Sequence, residues 1–231
     1  MIRVIAFDGD DTLWHNETIF VITQHRFREL LAAPGRDPAH IDERLHEREM
    51  ANLRLFGYGI KGFTLSMIET AIEVSDGQVS AAEIQALIDA GKSMLSHPVE
   101  LLDGVTAVLE ELASSYRIML ITKGDLFDQE SKIARSGLAP WFSAIEILSE
   151  KNEAAYRRIL GRHEIDPAEF LMVGNSPRSD IAPVTAIGAG AVLIPYPLTW
   201  AHEADHPELG PHSELETITA LPALVQKLGS R

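Results

Sequence analysis

The sequence predicts an α/β fold in which a parallel β-sheet is combined with an all-helical insertion. In residues 1–15 and 96–231, short apolar runs alternate with amphipathic helical patterns, as in parallel sheets whose strands are joined by helices. Residues 16–95 show only helical periodicity and contain no convincing strand. We therefore expect a discontinuous α/β core of residues 1–15 and 96–231, with residues 16–95 as an inserted helical domain.

Five apolar runs predict the strands of the sheet. The first run is rich in Ile, Val, Ala and Phe, which suits a strand that is buried on both faces. The expected strands are residues 2–7, 117–121, 144–148, 170–173 and 191–194. All but the last end in polar residues, and ligands of parallel sheets bind beyond the carboxyl ends of the strands. A site is therefore expected at this edge of the sheet.

Helical periodicity occupies the remaining segments. In the core it predicts a helix over residues 103–114, a second over 126–136 that stops at Gly137, and a third that ends near Arg162. The helices expected in the insertion are residues 19–31, 41–53, 63–74 and 81–95.

Composition and charge exclude several classes of function. The 231 residues are 45% hydrophobic, enough for one sizeable core plus an insertion. The net charge of −14 argues against nucleic acid or an anionic membrane as a partner. The chain has no cysteine, so disulfides and thiolate metal sites are impossible. It shows no signal-peptide pattern and no apolar run of roughly 18 residues, so we expect a cytoplasmic monomer or homodimer.

The first strand leads into the acidic sequence Asp8-Gly9-Asp10-Asp11-Thr12. Side chains two residues apart in an extended chain point the same way, so Asp8 and Asp10 could face one substrate atom as nucleophile and proton donor. The pentapeptide alone fits equally well an acidic turn in which Thr12 caps a helix. Later strands end in further polar groups, namely Thr122 and Lys123, residues 149–151, and residues 174–180.

Taken together, these strand ends favour phosphoryl transfer. A carboxylate can attack phosphorus and form an aspartyl-phosphate, which divides one difficult step into two. The charge on the phosphoryl oxygens requires a divalent cation, a positive side chain and neutral hydrogen-bond donors, and the sequence offers all three. Oxygen ligands without His or Cys suit Mg²⁺ as the cofactor and make zinc a poor fit.

On these residues the chain resembles the haloacid dehalogenase superfamily of aspartate-nucleophile hydrolases, in particular its phosphatases. Four motifs match in order at strand ends: Asp8-x-Asp10-x-Thr12, Thr122, Lys151, and the Gly-Asn-Ser-x-x-Ser-Asp sequence of residues 174–180. The resemblance covers the whole core and implies a Rossmann-like parallel sheet. It also implies that the helical insertion, which lies between the first and second motifs, is a cap domain.

The resemblance implies roles for the catalytic residues. Asp8 would be the nucleophile, and Asp10 would protonate the leaving alkoxide and later activate the hydrolytic water. Thr12 would orient Asp10. Thr122 and Lys123 would bind phosphate oxygens, the lysine through its backbone amide.

Lys151 would bind the phosphate as well and keep Asp8 ionised by balancing the negative charge of the site. Since a lone lysine at the start of a helix is usually solvated, Lys123 or Lys132 could supply that charge instead.

The metal ligands implied by the resemblance are the Asp8 carboxylate, the Asp10 backbone carbonyl, Asn175 and Asp180. The family usually has an aspartate where this chain has Asn175. An amide oxygen can still bind Mg²⁺, but a neutral ligand lowers the negative charge of the site, so weaker binding is expected.

Two other segments invite functional readings. Residues 56–63 form a glycine-rich loop between predicted helices, where Tyr58 and Lys61 could reach the substrate from a mobile lid or belong to a simple turn. The histidine-containing segment of residues 202–212 reads as a solvated loop rather than a second metal site.

The sequence therefore predicts a Mg²⁺-dependent phosphatase that hydrolyses a small-molecule phosphate monoester through an aspartyl-phosphate on Asp8. A phosphomutase or phosphotransferase would keep every motif and differ only in the acceptor. A 2-haloacid dehalogenase of the same fold would need neither Asp10 nor Asp180. A catalytically silent binding domain would account for Asn175. The physiological substrate is left open.

Overall fold

A computed structural model describes residues 1–32, 37–204 and 209–229. The chain divides into two compact units. One comprises Met1–Glu17 and Val99–Arg231, and the other comprises Thr18–Pro98. In the described residues the first unit is an α/β domain and the second is helical. The observed division lies two or three residues from the boundaries expected from sequence.

The α/β unit is built on a six-stranded sheet in which every strand pairing is parallel. The strands are β1 (Val4–Phe7), β2 (Arg117–Lys123), β3 (Ala144–Leu148), β4 (Phe170–Gly174), β5 (Gly190–Leu193) and β6 (Ser213–Glu214), in the order β3-β2-β1-β4-β5-β6. The predicted α/β class with a parallel sheet is confirmed, and β6 was not expected. In the register, Phe7 lies opposite Leu120 on one side and Val173 on the other, so the carboxyl ends of the three central strands lie side by side.

Helices cover both faces of the sheet. The helices of this unit are α5 (Val105–Ala113), α6 (Leu126–Ser136), α7 (Glu153–Arg162), α8 (Ala182–Ala186), α9 (Ala201–Ala204) and α10 (Leu221–Gly229). Short 3₁₀ turns occur at Ala139–Trp141, Pro167–Glu169 and Ile218–Ala220, and a π turn at Pro177–Ile181 precedes α8. Residues of α5, α6 and α10 belong to one apolar cluster, and residues of α7 and α8 belong to another.

The alternation of side chains along β1 explains the two clusters. Ile5 and Phe7 contribute to the cluster of α5, α6 and α10, whereas Val4 and Ala6 contribute to that of α7 and α8. A strand buried on both faces reads as a continuous apolar run, which is why the sequence pattern identified β1.

Local caps start the helices directly after the strand ends. The Asp125 carboxylate accepts a hydrogen bond from the amide of Asp128 at 3.0 Å and begins α6, which ends at Gly137 with a left-handed φ of 73°. The Asn152 side chain accepts one from the amide of Ala155 at 2.9 Å and begins α7. The polar ends of β2 and β3 are therefore each followed within five residues by a capped helix.

The helical unit has its own apolar core. Its helices are α1 (Glu17–Leu31), which begins at the boundary, α2 (Pro38–Phe56), α3 (Ile60–Val74) and α4 (Ala81–Ser96). The core includes Phe27, Leu31, Leu45 and Met67. Ser80 and Glu83 form a reciprocal capping box at the start of α4.

The predicted loop of residues 56–63 is shorter than expected. Phe56 ends α2 and Ile60 begins α3, so only residues 57–59 connect the helices. Lys61 lies in the first turn of α3, where its backbone is helical. The glycines predicted a longer loop, but the apolar residues that follow Gly59 pack into the core as one face of a helix, so α3 begins at Ile60.

Across residues 1–32, 37–204 and 209–229, no helix is both long and apolar enough to span a lipid bilayer.

The central strand β2 supplies a stability test of this core. Leu120 is completely buried, so Leu120→Ala should lower the free energy of unfolding by about 2–5 kcal/mol through lost burial and the cavity left behind. Denaturant unfolding followed by circular dichroism measures this loss. Leu126 is 58% exposed on α6, so Leu126→Ala is the matched control and should change stability by about 0.5 kcal/mol at most. Equal losses in the two variants would contradict the assignment of β2 to the core.

Candidate active site

Five polar residues converge where the central strands end. Asp8 follows β1, Thr122 and Lys123 are the last residues of β2, Asn175 follows β4, and Lys151 lies just beyond β3. Because the strands are parallel and in register, their carboxyl ends open on one edge of the sheet.

A buried lysine joins two carboxylates at this edge. The Nζ atom of Lys151 donates to Asp8 Oδ1 at 2.5 Å and to Asp180 Oδ1 at 2.6 Å. The side chains of Lys151 and Asp180 are each 1% exposed. Lys151 therefore reaches Asp8 directly, whereas the alternative cations Lys123 and Lys132 have other partners. With both carboxylates ionised, the trio has one negative charge in excess.

Burial governs ionisation in this trio. Burial raises the pKa of Asp8, Lys151 lowers it and Asp180 raises it, and together these effects bring the pKa to about 7. For Lys151, burial favours the neutral amine, but the two carboxylates outweigh it and raise its pKa. The lysine is therefore a permanent cation beside Asp8.

Residues directly before Asp180, at the end of β4 and just after it, contact the Asp180 carboxylate closely. The Asp180 Oδ2 atom accepts a hydrogen bond from the backbone amide of Ser176 at 3.0 Å. A Cβ atom on Gly174 would lie 2.2 Å from that same oxygen, so only glycine leaves room for the carboxylate. Asn175 follows immediately, and its Oδ1 atom accepts a hydrogen bond from the Thr12 hydroxyl at 3.2 Å.

Thr12 does not orient Asp10, so that prediction was wrong. Apart from Asn175, its hydroxyl faces Asp8 Oδ2, at 3.4 Å. The physical reason is the turn at Asp11, whose φ of 61° ends the extended conformation after β1. Asp10 and Thr12 therefore point to different partners.

Asp11, which had no predicted role, braces the start of α1. Its carboxylate accepts hydrogen bonds from the amides of Asn16 at 2.8 Å and Glu17 at 3.0 Å. Burial raises the pKa of Asp11 to about 7, although these hydrogen bonds lower it.

The Asp10 carboxylate is held by two residues of α6 and by an indole. It accepts from Lys132 Nζ at 2.7 Å through both oxygens, from Gln129 Nε2 at 2.8 Å and from Trp14 Nε1 at 2.6 Å. Gln129 and Lys132 are three residues apart and so share one face of α6. Burial favours the neutral form of Lys132, but Asp10 and Asp128 outweigh it and raise the lysine's pKa.

One amide connects Thr122 with Asp10. The Thr122 hydroxyl donates to Gln129 Oε1 at 3.3 Å, while the Nε2 atom of the same amide donates to Asp10. Sequence reasoning missed Gln129 and mentioned Lys132 only as a substitute for Lys151. Both residues lie on α6, the helix that follows Thr122, and this position could have indicated that they lie near the site.

The expectation of a solvated loop over residues 202–212 was wrong at its start. Glu203 of α9 has a side chain only 13% exposed, and it pairs with Lys123 Nζ at 2.5 Å. Its carboxylate also accepts from the hydroxyls of Ser176 and Ser179, each at 2.6 Å. Burial alone would raise the pKa of Glu203, but Lys123 and the two hydroxyls lower it to about 2. His206 of this segment lies outside the described residues.

Tyr58 and Lys61 belong to the helical unit. Tyr58 is half-buried in the connection before α3, and Lys61 is exposed in the first turn of that helix. Their contact with substrate stays a prediction.

The donor atoms at the strand ends suit a hard divalent cation. Asp8, Asn175 and Asp180 offer carboxylate and amide oxygens, with no sulfur or imidazole among them. Throughout the described residues, no three His, Asp or Glu side chains are grouped so that they could hold a metal ion. Position 175 is an amide, and the Asp10 carboxylate is turned towards Lys132.

Comparison with known proteins identifies the family of the chain. A solved structure of a haloacid dehalogenase-like family hydrolase from Xanthomonas campestris is 41% identical, with a TM-score of 0.87 over 98% of this chain and 91% of that one. The structure of a 2-haloacid dehalogenase from Pseudomonas syringae pv. Tomato DC3000 is 24% identical, with a TM-score of 0.65 over 99% of this chain and 100% of that chain, and it shows the shared fold.

Among curated proteins, the N-acylneuraminate-9-phosphatase of Mus musculus is 29% identical over 143 residues, which are 58% of this chain. The match spans about half, 55%, of that relative's length. The sequence profile of haloacid dehalogenase-like hydrolases matches residues 2–188. The chain belongs to the haloacid dehalogenase-like hydrolase family.

Proposed function

We propose that this hydrolase is a Mg²⁺-dependent phosphatase that cleaves a small-molecule phosphate monoester through an aspartyl-phosphate on Asp8. The observation that carries the proposal is the pairing of Asp8 with the buried Lys151 ammonium. A second carboxylate, Asp10, lies two residues further along the chain and accepts hydrogen bonds from different donors, including Lys132. One carboxylate is thereby suited to attack and the other to proton transfer.

The Asp8 carboxylate has one engaged and one available oxygen. Oδ1 accepts the short hydrogen bond from Lys151, whereas among the described residues Oδ2 meets only the Thr12 hydroxyl, at 3.4 Å. In the proposed first step an Asp8 oxygen bonds to phosphorus, the ester P–O bond breaks, and Asp10 gives its proton to the leaving alkoxide. In the second step Asp10 takes a proton from the attacking water, whose oxygen displaces Asp8 from phosphorus.

Donors around this point would carry the phosphoryl charge. In the proposal the Thr122 hydroxyl, the Lys123 amide and the Lys151 ammonium receive the phosphate oxygens. The hydroxyl of Thr122 is buried and turned to Gln129, which also bonds Asp10. The phosphate subsite and the acid–base residue thus share one support.

The same edge has the ligands for the proposed cofactor. Asp8, Asn175, Asp180 and the Asp10 backbone carbonyl would hold Mg²⁺, and the excess negative charge of the Asp8–Lys151–Asp180 trio favours a cation there. Mg²⁺, when bound, would neutralise phosphoryl charge and hold the phosphate against the nucleophile. The neutral Asn175 supports moderate rather than tight binding.

In this proposal the helical unit acts as the cap, with Tyr58 and Lys61 as candidate contacts to the leaving group. The curated relative in mouse makes a phosphorylated N-acylneuraminate the first compound for a screen of phosphate monoesters, with sugar phosphates and nucleotides beside it. Halide release from a 2-haloacid without added metal would instead identify a dehalogenase.

Replacement of the nucleophile tests the covalent step. Asp8→Asn removes the attacking charge at nearly constant shape, so the turnover of an aryl phosphate should fall by about 10³-fold or more, a loss typical of removing a reacting group. Asp166→Asn is the matched control, because this residue caps the 3₁₀ turn at Pro167–Glu169, where asparagine caps equally well. Turnover of Asp8→Asn within ten-fold of wild type would refute the mechanism.

Removal of the cation tests the cofactor. Excess chelator should abolish turnover because the site needs positive charge beyond Lys151, and Mg²⁺ in excess of the chelator should restore it. Steady-state hydrolysis with and without each addition measures the effect. Full activity in chelator would contradict the metal assignment.

The support of Asp10 can be tested on α6. Lys132→Met removes both Nζ contacts to Asp10, so kcat should fall by about 10–100-fold through misplacement of the acid–base group. The thermal midpoint of unfolding checks that the variant is folded. Lys92→Met, at an exposed lysine of α4, is the control and should retain wild-type kcat. If the Asp10→Asn change costs as much in the Lys132→Met variant as in wild type, the two residues act independently and the assignment is wrong.

A further inference from the structure

A carboxylate from outside the four motif-bearing strand ends lies among them. Glu203 is on α9, a single helical turn in the segment after β5. Its Oε1 atom pairs with Lys123 at the end of β2, and its Oε2 atom accepts from Ser176 and Ser179 after β4. One partly buried side chain thus bridges two strand ends that are separated by more than fifty residues in the chain.

The serines that Glu203 contacts are themselves part of the Asp180 support. The Ser176 amide donates to Asp180 Oδ2, and the Ser176 hydroxyl accepts from the Ser179 amide at 3.0 Å. The Ser179 carbonyl accepts from the Tyr156 hydroxyl at 3.0 Å, and Lys123 Nζ donates to the Ser179 hydroxyl at 2.8 Å. The segment that contains Asn175 and Asp180 is therefore held by hydrogen bonds from Ser176 and Ser179 to Glu203.

We propose that Glu203 is a positioning residue of the phosphatase site, which fixes the turn carrying Asn175 and Asp180 and holds the Lys123 end of β2 against it. This inference rests on the proposed function. Glu203 touches neither Asp8 nor Asp10, so it acts through Lys123, Ser176 and Ser179.

The chemistry of this contact requires a carboxylate. Three donor groups converge on it, and an ionised carboxylate offers acceptor sites only. A glutamine of the same shape has one acceptor oxygen and presents its NH₂ group to donors, so at least one of the three contacts would be lost. The Lys123 ammonium would also lose its nearest counter-ion, because Glu150 lies at 3.7 Å rather than 2.5 Å.

Kinetics of Glu203→Gln test this role. With an aryl phosphate, kcat should fall by about 10–100-fold while KM changes by less than about three-fold, since small misplacements at a site cost turnover more than binding. The same change should cost at least about five-fold less in a Lys123→Met variant, because residues in one network are not additive.

Glu146→Gln is the matched control. The Glu146 side chain on β3 is also 13% exposed and pairs with Arg162 and His163 at the end of α7, so it resembles Glu203 in burial but has its partners outside the proposed site. This control should lose thermal stability while its kcat stays at the wild-type value. If Glu203→Gln keeps kcat within two-fold of wild type, or if Glu146→Gln loses as much, the inference is overturned.

A second measurement does not depend on activity. Hydrogen exchange of a peptide spanning residues 174–181 should be faster in Glu203→Gln than in wild type and unchanged in Glu146→Gln. Unchanged exchange in Glu203→Gln would overturn the inference. If wild-type protein hydrolyses no phosphate ester but exchange still rises, the proposed function fails while the anchoring by Glu203 stands.

Discussion

The Lys151 ammonium, buried between Asp8 and Asp180, is the contact on which the rest of the site depends. Two carboxylates this close would repel each other in a medium of low dielectric constant, and burying either one alone would drive it towards its neutral form. The lysine makes both tolerable, yet it compensates only one of the two charges. With both carboxylates ionised, the remaining negative charge makes burial of the cluster costly, and in the proposed function Mg²⁺ would offset it. Burial is the largest of the effects that bring the pKa of Asp8 to about 7, and it favours the neutral form, whereas the proposed attack on phosphorus needs the ionised form.

The fold that brings these groups together could be predicted because its signals are local. β1, β2 and β4 are largely apolar runs buried on both faces, and a polar residue stands at or just after the end of each: Asp8, Lys123 and Asn175. β6 could not be recognised, because its two residues, Ser213 and Glu214, lack an apolar pattern and pair only as an edge continuation of β5. The parallel register then aligns the ends of strands that lie far apart in the chain.

The partners of individual side chains were harder to predict, for two physical reasons. Strand alternation placed Asp10 beside Asp8, and the family resemblance implied that Thr12 orients Asp10. Alternation holds only while the chain is extended, and Asp11 at φ 61° ends that conformation before Thr12. Glu203 shows the second reason. Its burial follows from three donors contributed by two distant strand ends, and a glutamate in a polar, histidine-containing segment carries no local mark of that environment.

The hydroxyl of Thr12 links Asn175 to Asp8, the proposed nucleophile. It lies 3.2 Å from Asn175 Oδ1 and 3.4 Å from Asp8 Oδ2, but a hydroxyl has a single proton to donate. A hydrogen bond to the amide oxygen therefore leaves Asp8 Oδ2 without a side-chain donor from the described part of the chain, and its lone pairs stay available. If the amide oxygen takes another partner, the proton can turn to Asp8, where it stabilises the carboxylate and weakens it as a nucleophile. With an aspartate at position 175, the ionised group would compete more strongly for that proton. In the proposed mechanism the asparagine therefore has two effects: it lowers the negative charge available to Mg²⁺, and it changes the hydrogen bonding of the Asp8 oxygen that would attack.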